Sequence, residues 1–387
     1  MTTRPRLTPA IAEVRSAVRA ALDGVAPAPA APAPPPAPAA PAPFVRNAGL
    51  RVTPGADGAF RATPVTRSPA FRARGGSEAA GEATVLVALS GGPDSLALAA
   101  ATAFESERAG ISAGAVIVDH GLQSGSADVA ARAARQAREL GLDPVLVKTV
   151  TVGTHGGPEA AARTARYSAL TEAADETGAS RVLLGHTRDD QAECVLLGLA
   201  RGSGLGSIKG MAPASGIYLR PLLAIARTTT LQFCADSGLR PWIDPQNADE
   251  RFARVRVRTI VLPMLERQLG PGFAEALART ADLAREDTEA LDQFAADQLE
   301  ELADHAEAGI SLAARALDHN PPALRQRIIR ATVLAEFGVS LSRTQTREVS
   351  RLVTDWHGQA AVDLPGVSAE RVGGLLHFRS TRSEQGG

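Results

Sequence analysis

The strongest constraint on the fold is a series of four short apolar segments, each followed by a helical stretch with capping residues. The segments cover residues 85–89, 113–119, 144–150 and 181–185 and recur roughly every thirty residues. Four βα units in a row predict a parallel sheet with helices on both faces, because parallel neighbours require crossover connections. Ligands of such sheets bind at the carboxyl ends of the strands, so functional residues are expected just after each segment.

The first strand end carries the sequence SGGPDS. Backbone N–H groups and two serine hydroxyls can converge there on an anion at a helix amino terminus. The loop is neither a Walker A motif nor GxGxxG. Because no lysine follows the glycines to bind a transferring γ-phosphate, the loop predicts a cradle for pyrophosphate as a leaving group, with Asp94 as a Mg²⁺ ligand. The alternative is an ordinary βα turn in which two glycines adopt unusual dihedrals. The candidate nucleotide-binding residues are Ser90, Gly91, Gly92, Pro93, Asp94 and Ser95.

This loop, placed after a buried strand, resembles the PP-loop ATP pyrophosphatase superfamily. The resemblance implies an α/β fold with a five-stranded parallel, Rossmann-like sheet, and ATP with Mg²⁺ as cofactors. Members of the superfamily adenylate a substrate oxygen and then let a nucleophile displace AMP. The resemblance also places His120 near the nucleotide, although Asp119 and His120 read equally well as a polar pair that ends a strand.

The segment EAAARTARY places Arg163 and Arg166 one turn apart on a predicted helix. A solvated helical face is the ordinary interpretation of such a pair. The segment also resembles the Glu-Ala-x-Ala-Arg-x-x-Arg-Tyr pattern of one PP-loop branch, the tRNA(Ile)-lysidine synthetases. That resemblance implies that Arg163 lies close to the reacting centre.

The fourth strand end is the most informative one. His186 follows the strand, and Asp189, Asp190 and Glu193 fall in the first turns of the next helix. Acids in a first helical turn stabilise the helix dipole. Three acids and a histidine at a ligand-facing strand end instead favour a catalytic or ligand-binding role. A glycine-rich stretch with Arg201 follows, and the whole resembles the lysidine synthetase signature His-x-x-x-Asp-Gln-Ala-Glu with a later Arg-Gly-Ser-Gly.

The resemblance implies ligation of L-lysine to the C2 carbon of the wobble cytidine of AUA-reading tRNA(Ile), whose anticodon is CAU. Adenylation by ATP would give lysidine, AMP and pyrophosphate and change the specificity from Met to Ile. A carboxylate must first bind the lysine ammonium group, and a base must then take its proton. Asp189, Asp190 and Glu193 are suitable groups, and His186 either assists or is structural. The sequence does not divide these roles.

Further along, Arg251, Arg254, Arg256 and Arg258 form a basic cluster. Basic helices are most often solvated, but the resemblance assigns Arg254 and Arg258, with Arg201, to tRNA phosphates. Many relatives carry Arg-Asn where this chain has Arg254-Val255. This chain therefore departs from the family pattern at Val255.

The chain is predicted to have four parts. Residues 1–23 contain an amphipathic helix over 9–22, and 24–80 are an Ala/Pro-rich insert predicted to be disordered. Residues 81–265 form the catalytic domain, and 266–387 a smaller, mainly helical domain with a terminal strand pair. This last part resembles the first carboxyl-terminal domain of the family, which helps to hold the tRNA. The further domain of longer members is not recognised.

Cysteine spacing and the acid cluster weigh against two alternative functions, a tRNA thiolase and a non-catalytic ATP-binding sensor. The two cysteines, Cys194 and Cys234, form no CxxC pair, which argues against a PP-loop tRNA thiolase. A non-catalytic ATP-binding sensor would not require the acid cluster. No stretch approaches the roughly 18 apolar residues that a membrane span needs, so a soluble, cytoplasmic protein without a membrane partner is expected. The sequence leaves the oligomeric state open, a homodimer included.

Overall fold

The computed structural model describes residues 7–25, 51–54, 60–63, 85–121, 125–153, 158–202, 204–306 and 309–381. The helices in these ranges are α1 Pro9–Leu22, α2 Pro93–Ala109, α3 Ser126–Glu139, α4 Pro158–Thr177, α5 Arg188–Arg201, α6 Leu205–Ile208, α7 Arg227–Asp236, α8 Ala253–Arg256, α9 Leu262–Leu269, α10 Phe273–Leu302, α11 Ala314–His319, α12 Pro322–Phe337 and α13 Arg343–Thr354. The strands are β1 Arg51–Pro54, β2 Phe60–Thr63, β3 Val85–Ala88, β4 Ala113–Asp119, β5 Val145–Thr149, β6 Arg181–Leu183, β7 Ala214–Ser215, β8 Tyr218–Leu219, β9 Ala303–Ala306, β10 Gly309–Ala313, β11 Val362–Leu364, β12 Val367–Val372 and β13 Leu375–Ser380. A 3₁₀-helix, Pro245–Ala248, and a π-helical turn, Val257–Val261, complete the set.

The chain divides into two compact units. The first unit comprises Val18–Gly91 and Ala99–Leu183. The second unit comprises Met1–Ala17, Gly92–Leu98 and Leu184–Gly387. The predicted domain boundary at residue 265 stays a prediction.

The first unit contains four parallel strands in the order β5-β4-β3-β6. Both β3 and β4 are almost wholly buried, as expected for parallel strands covered on two faces. The strand order reverses direction at β3, so the loop after β3 lies at the topological switch point, where such sheets bind ligands. The parallel α/β class is confirmed.

Of the five parallel strands predicted, these four pair in parallel. Strands β7 and β8 pair antiparallel with each other across a short turn that includes Gly216, whose φ is 57°. Two-residue strands of this kind leave almost no periodic signal in a sequence.

The amino-terminal helix is confirmed with the predicted bounds. Ile11, Val14, Val18 and Leu22 are buried at helical spacing. The range predicted as a disordered insert lies mostly outside the described residues, but β1 and β2 fall within it and pair as an antiparallel hairpin. The short β-prone runs of these eight residues flank a segment with two glycines, a pattern that favours a hairpin, and disorder of the insert stays a prediction.

The carboxyl-terminal part of the second unit is built on α10, α12, α13 and an antiparallel sheet. The sheet has five strands in the order β11-β12-β13-β10-β9. The predicted terminal strand pair is thus only part of a larger sheet, because β10 pairs with β13 across a long sequence separation that no local pattern reveals. The core beneath it includes Leu312, Ile328, Val349 and Phe378. Among the described residues, no helix is both long enough and apolar enough to cross a lipid bilayer.

Candidate active site

The loop between β3 and α2 turns sharply at Gly91, whose φ of 82° suits glycine. Helix α2 begins at Pro93, and its first turn carries Asp94. The Ser95 hydroxyl donates to the carbonyl of Gly92 at 3.1 Å. The early N–H groups of a helix have no intrahelical acceptor, so this turn can bind an anion.

Gly185, just after β6, packs directly against this turn. A Cβ atom added there would lie 3.1 Å from backbone atoms of Asp94 and Ser95. The two strand ends that the sequence marks as functional therefore meet at the start of α2. A side chain at position 185 would therefore be tightly packed against the backbone of this turn.

Helix α5 begins with a capping arrangement that uses Asp190. The backbone N–H and the hydroxyl of Thr187 donate to Oδ2 of Asp190 at 2.8 and 2.9 Å. Burial alone would raise the pKa of Asp190, but Arg227, the Thr187 amide and the charges of His186 and Arg254 hold this pKa below its ordinary value. Asp190 is therefore ionised, and it both caps the helix and faces the site with its other oxygen.

The first residue of α7, Arg227, contacts four acids. Its Nε lies 3.2 Å from Oδ2 of Asp94, its Nη2 lies 2.8 Å from Oδ1 of Asp190, and its Nη1 lies 3.3 Å from Oε1 of Glu193. Its backbone N–H donates to Oδ2 of Asp189 at 2.8 Å. Although burial alone would lower the pKa of Arg227, Asp190, Asp94 and Glu193 raise it above its ordinary value.

Glu193 is fully buried and is enclosed by arginines. Besides Arg227, its oxygens accept from Nε of Arg254 at 3.0 Å and from Nε and Nη2 of Arg258 at 2.6 and 3.0 Å. Arg258 also reaches Oδ1 of Asp190 at 3.3 Å. Asp94, Asp189, Asp190 and Glu193, here called the carboxylate cluster, thus face three guanidinium groups. With every group ionised, the set carries one negative charge in excess.

Burial raises the pKa of Asp94 above its ordinary value, and the opposing effects of Arg227 and of the Thr230 hydroxyl do not cancel this. The Thr230 hydroxyl donates to Oδ1 of Asp94. Among the described residues, no group of three or more His, Cys, Asp and Glu side chains is arranged to hold a metal ion. Mg²⁺ commonly takes one or two protein carboxylates together with substrate phosphates. Asp94 therefore fits a magnesium ion that arrives with a nucleotide, and not one caged by protein ligands.

The structure brings together Asp94, Asp189, Asp190 and Glu193, as the sequence suggested. His186 is half-buried just ahead of Thr187, close enough to affect the pKa of Asp190. Arg201 is exposed at the end of α5, where Gly202 closes the helix with a φ of 64°.

The predicted residues His120 and Arg163 lie in the first unit, outside the loop after β3. Burial, with the nearby Arg166 charge, lowers the pKa of His120 at the end of β4. Arg163 is exposed on α4, with its guanidinium 4.9 Å from the centre of the Tyr167 ring. Their predicted proximity to the nucleotide stays a prediction.

Arg254 and Arg258 differ from the expectation. They were expected to face tRNA phosphates, but their guanidinium groups point to Glu193. A π-helical turn, Val257–Val261, begins between them, and such turns are frequent at functional sites. Their contact with tRNA stays a prediction, whereas their contact with a buried carboxylate was not foreseen.

Sequence reasoning missed Arg227 and Thr230. One signal was available: Arg227 begins a helix, where the helix dipole disfavours a cation. An arginine at that position indicates nearby negative charge.

The segment after α5 is held from two sides. Gln191 exchanges hydrogen bonds with the backbone of Met211, at 2.7 and 2.9 Å. Arg285 of α10 donates to the carbonyls of Lys209 and Met211. The glycine-rich loop is therefore anchored next to the carboxylate cluster.

Three features occur together: a parallel sheet, a switch-point loop that leads into a helix turn suited to an anion, and clustered carboxylates next to that turn. Together they define a nucleotide-using α/β enzyme of the PP-loop kind. The PP-loop domain family matches residues 70–265, and the TilS substrate binding domain family matches residues 312–377. The tRNA(Ile)-lysidine synthase of Leifsonia xyli subsp. xyli is 61% identical over 297 residues, covering 76% of this chain and 90% of that protein.

The proteins of the same name from Streptomyces coelicolor and Thermobifida fusca are each 53% identical, over 306 and 289 residues. These alignments cover 76% and 74% of this chain and 85% and 88% of the relatives. The chain belongs to the tRNA(Ile)-lysidine synthase family.

Proposed function

We propose that the protein ligates L-lysine to the C2 carbon of the wobble cytidine of tRNA(Ile) with the anticodon CAU. ATP adenylates the cytidine oxygen, and the lysine ε-amine then displaces AMP, so the products are lysidine, AMP and pyrophosphate. The observation that carries the proposal is the carboxylate cluster against the first turn of α2, in a chain that shares 61% identity with a lysidine synthase. A sensor would have no use for such a cluster.

ATP is proposed to bind at the loop from Ser90 to Ser95, with its phosphates at the amino terminus of α2. Asp94 would supply a carboxylate oxygen to Mg²⁺, which would neutralise phosphate charge as pyrophosphate departs. To bind the ion, Asp94 would have to give up its contact with Arg227 or with Thr230. A role for His120 and Arg163 near the nucleotide stays a prediction from the sequence.

The lysine ammonium group is proposed to bind the carboxylate cluster, whose excess negative charge a single cation would balance. Glu193 and Oδ1 of Asp190 are engaged by arginines, whereas within the described part of the chain Asp189 accepts through Oδ2, from the backbone N–H of Arg227. Asp189 therefore offers the ammonium group a carboxylate oxygen at no cost in existing ion pairs. The same cluster can take the proton that the amine must lose before it attacks.

The tRNA is proposed to lie along the carboxyl-terminal helices. Burial lowers the pKa of Arg330 on α12, and the charges of Arg327 and Arg343 lower it further, while Asp292 opposes them. Phosphate groups would relieve this repulsion among arginines, and nucleic-acid binding draws mainly on such contacts. Arg201 would add a further phosphate contact. We expect the enzyme to act in the cytoplasm.

The test is mass spectrometry of nucleosides after incubation of the protein with tRNA(Ile), ATP and isotope-labelled lysine. The proposal predicts a labelled lysidine nucleoside in tRNA(Ile), and none in a tRNA(Met) with the same anticodon. A sulfur-containing nucleoside would favour the thiolase alternative. ATP binding with neither AMP release nor label would favour the sensor.

A further inference from the structure

Arg227 links the nucleotide loop to the acids of α5. Each of its three guanidinium nitrogens contacts a different carboxylate: Asp94 of α2, and Asp190 and Glu193 of α5. Its backbone N–H holds Asp189 at 2.8 Å. Arg227 therefore joins Asp94 of α2 to the acids of α5.

The arrangement depends on the shape of the guanidinium group. A planar fork with donors on three nitrogens can hold three carboxylates at fixed angles, whereas a lysine ammonium is a single point charge. Arg227 also sits where the dipole of α7 opposes a cation, and its side chain is mostly buried. The carboxylate contacts offset both costs, so Arg227 and the acids fix one another.

The neighbourhood fixes Arg227 in turn. The Thr230 hydroxyl contacts both the carbonyl of Arg227, at 2.8 Å, and the carboxylate of Asp94. Arg254 and Arg258 hold the outer side of Glu193. These contacts hold Arg227 and the carboxylates that it pairs with from both sides.

We propose that Arg227 is a positioning residue that sets the acids of α5 against Asp94 of the nucleotide loop, so that the lysine amine meets the adenylated base in the right geometry. The inference rests on the proposed function and adds to it a residue with no assigned role. Arg227 acts through the acids and does not itself contact the reacting atoms.

The experiment compares Arg227→Lys, Arg227→Ala and the control Arg279→Gln in lysidine formation and thermal unfolding. Arg279 is an exposed residue of α10 that pairs with Glu275. Misplaced catalytic groups commonly cost about 100-fold in rate, so Arg227→Ala is expected to lower kcat by about that factor and to raise KM for lysine. KM for ATP should stay close to the wild-type value, because the loop backbone is unchanged.

Chemical rescue separates positioning from folding. Guanidinium at non-denaturing concentration should restore part of the activity of Arg227→Ala, whereas urea should not, and Arg227→Lys should recover little despite its charge. Wild-type kcat in Arg227→Lys would overturn the proposal. The proposal would also be overturned if kcat fell in parallel with the melting temperature and guanidinium did not restore it. A wild-type protein that forms no lysidine would instead count against the proposed function.

Discussion

Substitution of Glu193 by glutamine tests whether the buried acid holds the arginines in place. The side chain is 0% exposed, and the side chains of Arg227, Arg254 and Arg258 around it are 18%, 30% and 27% exposed. Glutamine keeps the shape but removes the charge, and its amide N–H₂ group faces guanidinium donors. The three guanidinium groups then face only three carboxylates, those of Asp94, Asp189 and Asp190.

Removing one partner of a buried ion pair costs about 3–5 kcal/mol, and the lower end applies because these arginines can partly rehydrate. For a unit of this size, 3 kcal/mol corresponds to a fall in melting temperature of about 6–12 °C. The matched control is Glu275→Gln, because Glu275 also contacts two arginines, Arg279 at 2.9 Å and Arg188 at 3.6 Å, but is 50% exposed. Exposed pairs contribute about 1 kcal/mol at most.

The assay is thermal unfolding followed by circular dichroism, together with ATP binding and lysidine formation. Glu193→Gln should unfold well below both wild type and Glu275→Gln, should still bind ATP, and should lose lysine transfer. Equal melting temperatures for the two variants would refute the view that Glu193 organises the arginines. Full lysine transfer by Glu193→Gln would remove this residue from the site.

Four further outcomes are expected. Asp94→Ala should abolish ATP–pyrophosphate exchange, and retained exchange would exclude Asp94 from the nucleotide site. The pKa of Asp190 lies below its ordinary 3.8. The charge of Asp190 therefore contributes to stability above pH 3.8, and this contribution is lost as the pH falls through the lowered pKa. The urea midpoints of wild type and Asp190→Asn should therefore converge in acid. Burial, with the Asp94 charge, raises the pKa of Cys234 to about 12, so this thiol should resist iodoacetamide at pH 8 in the native protein and react after denaturation. Deletion of residues 25–80 should leave activity largely intact, an expectation that fails if the truncated protein folds but no longer binds tRNA.

Local patterns predicted the parallel strands with their following helices, and the amino-terminal helix. The four βα units and the helix Pro9–Leu22 each carry their signal within a few turns of chain. The antiparallel sheet was largely missed because its pairs, such as Ile310 with Phe378, join distant segments. Short strands such as β7 and β8 have too few residues to show a period.

The acids of the site were predictable, and their partners were not. Carboxylates that follow a strand end and begin a helix stand out in a sequence, as Asp189, Asp190 and Glu193 did. Whether an arginine faces solvent or a buried acid depends on the rotation of its helix, so Arg254 and Arg258 were assigned to tRNA. Arg227 lies far along the chain from the carboxylates that it joins.

The most direct measurement is to quantify AMP and labelled lysidine in the same reaction, with tRNA(Ile), ATP and isotope-labelled lysine. If the loop after β3 activates the base for attack by lysine, the two products should appear in equal amounts, and Asp94→Ala should form neither. AMP released without lysidine, or lysidine formed without AMP, would contradict the account.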